Sequence, residues 1–419
     1  MTAIIANGIP WFDQTGNTVN AHGGSLLKQG DHYYFFGEYK TNQKNHFTGF
    51  SCYSSVDLVN WNFEEMSLVP QSSGYLGPNR IGERVKVIQC PETNQFIMLM
   101  HTDSLLYDDP VIGLAISDEI SGPYNFLGAL KFQNQEVRAW DMGVFVDDDG
   151  VGYLVLHEGT IYQLSKDFKS GEKKVLENLA PGGESPVLFK QNEEYFFIFS
   201  HKTSWERNDN YYFYADKLSG PWHEGGLFCP PNTLTHNSQS TFVFKEKRNG
   251  QDCLMFMGDR WSFPKQKDGA TYVWLPLICE KHFLSIPQFF SAWDYQTGKE
   301  VSIVPQEKII FRESQKGKQF QFHFTGKSVA LFGETNQHSG YAEVLIFNDE
   351  EKVVHQQIID FYSYYLQDGL RYISPTLSEG TYQVKIMVTG EFGQWTNKAK
   401  KIFGSSNSEI CLNGYTVYN

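Results

Sequence analysis

Five times along this chain a small or acidic motif leads into an apolar run, a polar turn, and a run of β-branched and aromatic residues. The closing runs are Tyr33-Tyr34-Phe35-Phe36, residues 96–100, residues 153–156, Tyr195-Phe196-Phe197-Ile198-Phe199 and residues 253–257. Most follow turn-forming residues: Gln29-Gly30-Asp31, Thr93-Asn94, Asp148-Asp149-Gly150 and Asn192-Glu193. Gly, Asn and Asp tolerate the φ values of tight hairpins, so each unit reads as paired antiparallel strands. Strand units recurring at intervals of about 40–65 residues predict a propeller, here of five blades with about four strands each. Residues just ahead of each first strand would then converge on one axial pocket.

The repeat ends after Trp293-Asp294-Tyr295. Residues 1–304 are therefore expected to form the propeller and residues 305–419 a second domain, in keeping with a length of 419 residues. The second segment has short alternating runs, with Phe320, Phe322 and Phe324 on one face of the first. Such strands at short spacing predict an antiparallel β-sandwich of jelly-roll type. No long amphipathic helix is evident, and the chain reads as all-β.

A formal net charge of −13 without a basic block argues against nucleic acid, whose phosphates need clustered Lys and Arg. No apolar run approaches the ~20 residues that span a bilayer. Residues 1–6 lack the basic and apolar segments of a secretory leader, so a cytoplasmic protein is expected, or a secreted or periplasmic one if a leader has been removed. The six cysteines lack C-x-x-C spacing and read as small buried hydrophobes. Oligomeric state is not legible.

The predicted blade entrances carry His22-Gly23-Gly24, Gly82-Glu83-Arg84, Trp140-Asp141-Met142, Gly183-Glu184-Ser185 and His236-Asn237-Ser238-Gln239-Ser240-Thr241. Glu83, Asp141 and Glu184 thus stand at one expected structural position on three blades. Cleaving a glycosidic bond needs a carboxylic acid to protonate the leaving oxygen and a second group on the water side. A neighbouring carboxylate would raise the acid's pKa. Glu184, between glycines and an apolar strand, is the best candidate acid. Asp147-Asp148-Asp149 reads as a solvated turn rather than a calcium loop. His22, His101, His157, His201 and His236 fall near strand ends without metal-ligand spacing, and no metal ligands are assigned. No cofactor is required, although a structural calcium on the axis is left open.

Trp11-Phe12-Asp13, Ala21-His22-Gly23-Gly24, Gly37-Glu38, Glu83 with Lys86-Val87-Ile88, Asp141-Met142, Gly183-Glu184-Ser185-Pro186, Asn237-Ser238-Gln239-Ser240-Thr241 and Tyr272-Val273-Trp274-Leu275-Pro276 together resemble glycoside hydrolase family 43. Within it they look like the exo-β-1,3-galactanase (galactan 1,3-β-galactosidase) branch, over nearly all of residues 8–295. The resemblance implies a five-bladed propeller, an inverting mechanism and removal of terminal sugars. It assigns Glu184 as general acid and Asp141 as the residue that tunes and orients it. Most members carry an Asp base at the first blade entrance, where this chain has Ala21-His22-Gly23-Gly24. In the resembling branch a Gln takes the water-side role, and Gln239 matches it. A neutral amide accepts a proton poorly, so Gln239 is expected to position water, with Glu83 as the alternative base or a ligand for sugar hydroxyls.

Sugar binding further needs flat aromatic faces and hydrogen-bonding groups. Candidates are His22, Glu38, Tyr107, Trp140, Trp205, Arg260 and Trp274, the last two with structural alternatives: a salt bridge and core packing. In the second domain, Phe361-Tyr362-Ser363-Tyr364-Tyr365 and Trp395 could stack on carbohydrate or pack against the propeller. The expected partner is an oligosaccharide or polysaccharide, with hydrolysis of β-1,3-linked galactose from galactan or arabinogalactan as the leading reading. Alternatives are β-xylosidase or α-L-arabinofuranosidase activity, or a propeller that binds sugar without cleaving it.

Overall fold

A computed structural model describes residues 3–248, 250–397 and 400–419; Met1 and Thr2, part of the segment read for a leader, lie outside them. The described residues are all-β apart from single turns of helix. Each of the five aromatic runs lies in the second strand of its own sheet and pairs antiparallel with the first: His32–Glu38, Phe96–Ser104, Gly152–Leu156, Glu194–His201 and Gln251–Arg260. The turn chemistry works as expected. Asn192 and Glu193, both with positive φ, form the two-residue loop between paired Gln191 and Glu194.

The first strands are His22–Gln29, Arg80–Gln89, Met142–Val146, Gly183–Gln191 and Gln239–Arg248. Each lies against the first strand of the next sheet, and the fifth returns to the first, closing a ring of five. The fifth sheet has three strands, and the N-terminal strand Ile4–Ala6 pairs nearby with Ala292–Asp294.

Every seam of the ring has its own apolar core. Phe197 and Phe199 face the third sheet with Tyr153 and Val155, whereas Phe196 and Ile198 face the fifth with Phe256 and Val273. Successive side chains on a strand point to opposite faces. With both faces buried, the strand reads as an unbroken apolar run rather than an alternating one. Trp11, Phe35, Trp61, Tyr272, Trp274 and Trp293 fill the seam between the first and fifth sheets.

After Glu300 the chain builds two four-stranded antiparallel sheets. One contains Glu307–Glu313, Ile410–Tyr418, Ser328–Thr335 and Gln367–Ile373; the other contains Gln319–Gly326, Gly380–Val388, Tyr341–Phe347 and Val353–Asp360. They share one core, including Val329, Leu331, Val344, Ile346, Val384, Ile386 and Leu412. The aromatics that look exposed in sequence are mostly inside. Phe361, Tyr362 and Trp395 are buried, and only Tyr364 is largely open. Tyr362 and Tyr365 instead reach the ring, through Glu206 and the Thr233 carbonyl.

Candidate active site

The first, second and fourth sheets share one backbone device at the axial end. Pairing slips between His22 and Ser25, Glu83 and Lys86, and Glu184 and Val187. The next residue is left-handed in each case: Gly23 (φ 59°), Arg84 (φ 56°) and Ser185 (φ 53°). Such a bulge re-aims a side chain out of the strand's alternation. For Arg84 and Ser185 the left-handed backbone costs roughly 1–2 kcal/mol, a cost that tends to concentrate where geometry serves function. At Gly23 a Cβ would lie 2.1 Å from Glu38 Oε1, so a side chain there would push that carboxylate aside.

Each entrance residue faces a partner on its second strand. His22 pairs with Glu38, Glu83 with His101, Glu184 with Ser200, and Gln239 with Asp259. The third sheet differs, since Met142 pairs with Leu156 without a slip and Asp141 stands just before the strand. The expected equivalence therefore holds for Glu83 and Glu184 but not for Asp141, which reaches the same cluster by another backbone route.

Arg84 is the hub of that cluster. Its Nε pairs with Asp141 Oδ2 at 3.1 Å, its Nη2 donates to Gln239 Oε1 at 2.7 Å, and its backbone N–H donates to Glu38 Oε1 at 2.9 Å. Asp141 Oδ2 also accepts from the backbone N–H and the hydroxyl of Ser185, both at 3.1 Å. Gln239 Oε1 accepts a second bond from Trp261 Nε1 at 2.8 Å, while its Nε2 donates to Ser200 Oγ at 3.0 Å and Glu184 Oε2 at 3.3 Å. Arg and Trp side chains only donate, so the amide orientation is forced. Both acceptor positions of Oε1 are then occupied, and an imidic O–H there would point at two donors. Through these bonds Gln239 links Glu184 to Arg84.

The two glutamates titrate in opposite directions. Burial, then the Asp141 carboxylate, push Glu184 up to about 8, with Arg84 and Lys202 opposing in part. Near neutral pH it is a protonated acid. Burial would raise Glu83 as well, but Lys40 at 3.7 Å, His101 at 3.5 Å and Asn45 outweigh it and hold the carboxyl well below the usual range. Glu83 Oε1 accepts from Asn45 Nδ2 at 2.8 Å and from the Tyr107 hydroxyl at 2.9 Å. His101 is pushed up to about 9, its burial overcome by Asp103 and Glu83. Glu38 pairs with Lys40 at 2.5 Å. Lys86 lies beneath, donating to the Gly23 carbonyl at 2.7 Å; burial, then Arg84, bring it down to about 7.

The structure thus brings together Glu38, Glu83, Tyr107, Asp141, Glu184 and Gln239. Trp205 and Trp140 are half-buried: Trp205 stacks on Phe263 with centroids 5.6 Å apart, and Trp140 packs on His157 at 5.0 Å. His22 is fully buried, stacked on Tyr272 and 3.4 Å from Asp259. Two candidates lie elsewhere. Trp274 is 0% exposed within the seam core, so it offers no face to a sugar. Arg260 follows Asp259 on one strand and points to the opposite side, where it donates to the carbonyls of His236 and Asn237. Lys40, Asn45, Arg84 and Ser200 complete the cluster without being singled out by the sequence pattern. Two clefts of about 390 and 620 Å³ flank residues 13–16 beside the sandwich, and neither contains Glu83, Asp141 or Glu184. Among the described residues no group of three His, Cys, Asp or Glu side chains is arranged to hold a metal ion.

A neutral carboxylic acid held beside a carboxylate, at the axial end of a ring of sheets, is what protonating a glycosidic oxygen requires. Residues 18–241 match glycosyl hydrolases family 43, and the chain belongs to that family. It is similar in structure to a candidate exo-β-1,3-galactanase from Bifidobacterium bifidum, with 32% identity and a TM-score of 0.61 over 67% of this chain and 95% of that one. It is also similar to an exo-β-1,3-galactanase from Phanerochaete chrysosporium, crystallised with galactose: 24% identity, TM-score 0.69, over 98% of this chain and 100% of that one. A Clostridium thermocellum exo-β-1,3-galactanase shares 24% identity, with a TM-score of 0.65 over 98% of this chain and 96% of that one. No match is found among curated proteins.

Proposed function

We propose that this family 43 glycosidase is an inverting, exo-acting enzyme that removes β-1,3-linked galactose from galactan or arabinogalactan chains. The observation that carries the reading is the protonated Glu184, half-buried beside Asp141 and tied to Arg84 through Gln239. Glu184 gives its proton to the leaving glycosidic oxygen while a water attacks the anomeric carbon from the opposite face. The new hydroxyl keeps one hydrogen of that water, and the other passes as a proton to solvent, from which Glu184 is recharged. Asp141, fixed by Arg84 and Ser185, keeps that proton in place until the bond breaks. Glu83, Lys40, Asn45 and Tyr107 form a hydrogen-bonding wall for sugar hydroxyls, and Trp205 and Trp140 offer ring faces at the rim. The galactose preference rests on the likeness to exo-β-1,3-galactanases from three organisms.

The test is incubation of β-1,3-galactobiose and galactotriose with wild type and Glu184→Gln, following anomeric protons by NMR. Release of α-galactose one unit at a time, lost in the variant, is the expected result. β-Galactose as first product would overturn inversion. Saturable binding without cleavage, with aryl xylosides and arabinofuranosides also uncut, would make the pocket a binding site.

A further inference from the structure

Three rings on two loops form an aromatic wall beside the carboxylate cluster. Trp205 lies parallel to Phe263 and meets Trp261 edge-on at 5.4 Å. Lys40 Nζ sits 5.4 Å from the Trp205 ring and 5.5 Å from that of Trp261. Trp261 joins the wall to the acid, because its indole N–H holds Gln239, which holds Glu184.

The sandwich stands behind this wall. Glu206, next to Trp205, is buried, and its Oε2 accepts the Tyr362 hydroxyl at 2.6 Å while Oε1 accepts the Arg207 backbone N–H at 3.1 Å. The Arg207 guanidinium lies over the Tyr362 ring at 5.4 Å. Its Nε donates to Asn237 Oδ1 at 2.8 Å and its Nη1 to the Trp261 carbonyl at 3.2 Å. The Tyr341 hydroxyl donates to the Phe263 carbonyl at 3.1 Å. Each ring of the wall is therefore braced from the sandwich side: Trp205 through Glu206, Trp261 through Arg207, Phe263 through Tyr341. A buried carboxylate is held in place by the hydrogen bonds it accepts, and the Tyr362 hydroxyl supplies one of those to Glu206.

We infer that Tyr362 is a positioning residue for the pocket. Its hydroxyl, through Glu206 and Arg207, sets Trp261 and hence the Gln239–Glu184 contact, and in this the inference rests on the glycosidase reading above. The sandwich is then part of the catalytic unit, where a tethered sugar-binding module would leave the pocket unchanged.

Tyr362→Phe keeps the ring and removes only the hydroxyl. With 15N-labelled tryptophan, the Trp261 indole resonance, assigned through Trp261→Phe, reports the brace without any substrate. The expected result is a shifted, faster-exchanging Trp261 signal with Trp274 and Trp293 unmoved. On β-1,3-galactobiose, kcat should fall about ten- to a hundredfold, with a melting temperature lower by only a few degrees, the cost of one lost hydrogen bond to a buried carboxylate. Tyr382→Phe, whose hydroxyl bonds to the Ser378 carbonyl within the sandwich, should match wild type in both readouts. An unmoved Trp261 signal, or kcat at the wild-type value, overturns the inference. If wild type leaves galactobiose intact, the substrate reading fails separately and the indole signal alone decides the brace. Should Tyr362→Phe not fold, Glu206→Gln tests the same link and must give the same two changes.

Discussion

Glu83 and Glu184 occupy the same place in two sheets of the ring. Both precede a left-handed residue, both open a bulge, and both face a polar residue on the second strand. Yet Glu83 is an anion, surrounded by Lys40, His101 and Asn45, while Glu184 is a neutral acid beside Asp141. Burial pushes both upward, so burial is not what separates them. The difference is which charges the neighbouring strands supply. The repeat sets where a side chain points, and the identity of its neighbours decides whether it holds a proton.

The sharpest way to break this comparison is to neutralise each glutamate in turn. Glu184→Gln removes the transferable proton, and kcat on β-1,3-galactobiose should fall about 10²–10⁴-fold, with KM little changed. Glu83→Gln keeps the shape but removes a charged acceptor. Hydrogen bonds to charged groups are worth about 1.5–3 kcal/mol, so KM should rise about 10–100-fold while kcat holds within a few fold. Steady-state kinetics on both variants decide it; equal losses of kcat would show that Glu83 belongs to the chemistry.

This contrast also marks how far the sequence is legible. The hairpins and the entrance carboxylates are visible because turns and apolar runs are local signals. Pairing each hairpin outward from its turn would land one residue too far, on Tyr39, Thr102, His201 and Arg260; the true partners Glu38, His101, Ser200 and Asp259 emerge only once the bulge that slips the register is known. Lys40 and Asn45 are harder, because they reach Glu83 from the loop that follows the second strand of the neighbouring first sheet. Residue type misleads for Trp274 and Arg260. A tryptophan on a strand buried on both faces packs the seam, and the residue after a pocket-facing Asp259 must face away. The contacts of Gln239 are a tertiary fact with no local signature. Even its motif does not reveal that Arg84 and Trp261 fill its oxygen.

A subtler perturbation leaves both glutamates in place and changes a charge between them. In wild type, activity needs Glu184 protonated, so kcat/KM should fall as pH rises through about 8. Asp141→Asn removes the charge that, after burial, does most to disfavour ionisation of Glu184. Its pKa then drops, and the alkaline limb of kcat/KM should move to lower pH by about one unit or more. The Glu83 side of the pocket takes its ionisation from Lys40 and His101, so KM at pH 6 should change less than kcat. An alkaline limb unmoved in Asp141→Asn would mean that burial alone raises Glu184.

The smallest effect concerns stability and needs no substrate. Glu184 has a carboxyl pKa of about 8 in the folded chain against an ordinary 4.5. Below 4.5 both states are protonated and its favourable contribution is fully present. Between 4.5 and 8 the unfolded chain loses the proton that the native chain keeps, so stability falls as pH rises, and above 8 the loss is complete. A neutral glutamine does not incur that loss. Glu184→Gln should therefore melt at nearly the wild-type temperature at pH 4 and a few degrees above it at pH 9, at about 2–4 °C per kcal/mol. The same swap at Glu83 must behave oppositely, because a carboxyl held low by its partners stabilises the native chain at every pH above the unfolded value. Glu83→Gln should melt below wild type at pH 7 and recover part of the gap as pH falls below about 4. Thermal scans of both variants across pH thus test the comparison without catalysis, and two curves of the same sign would remove it.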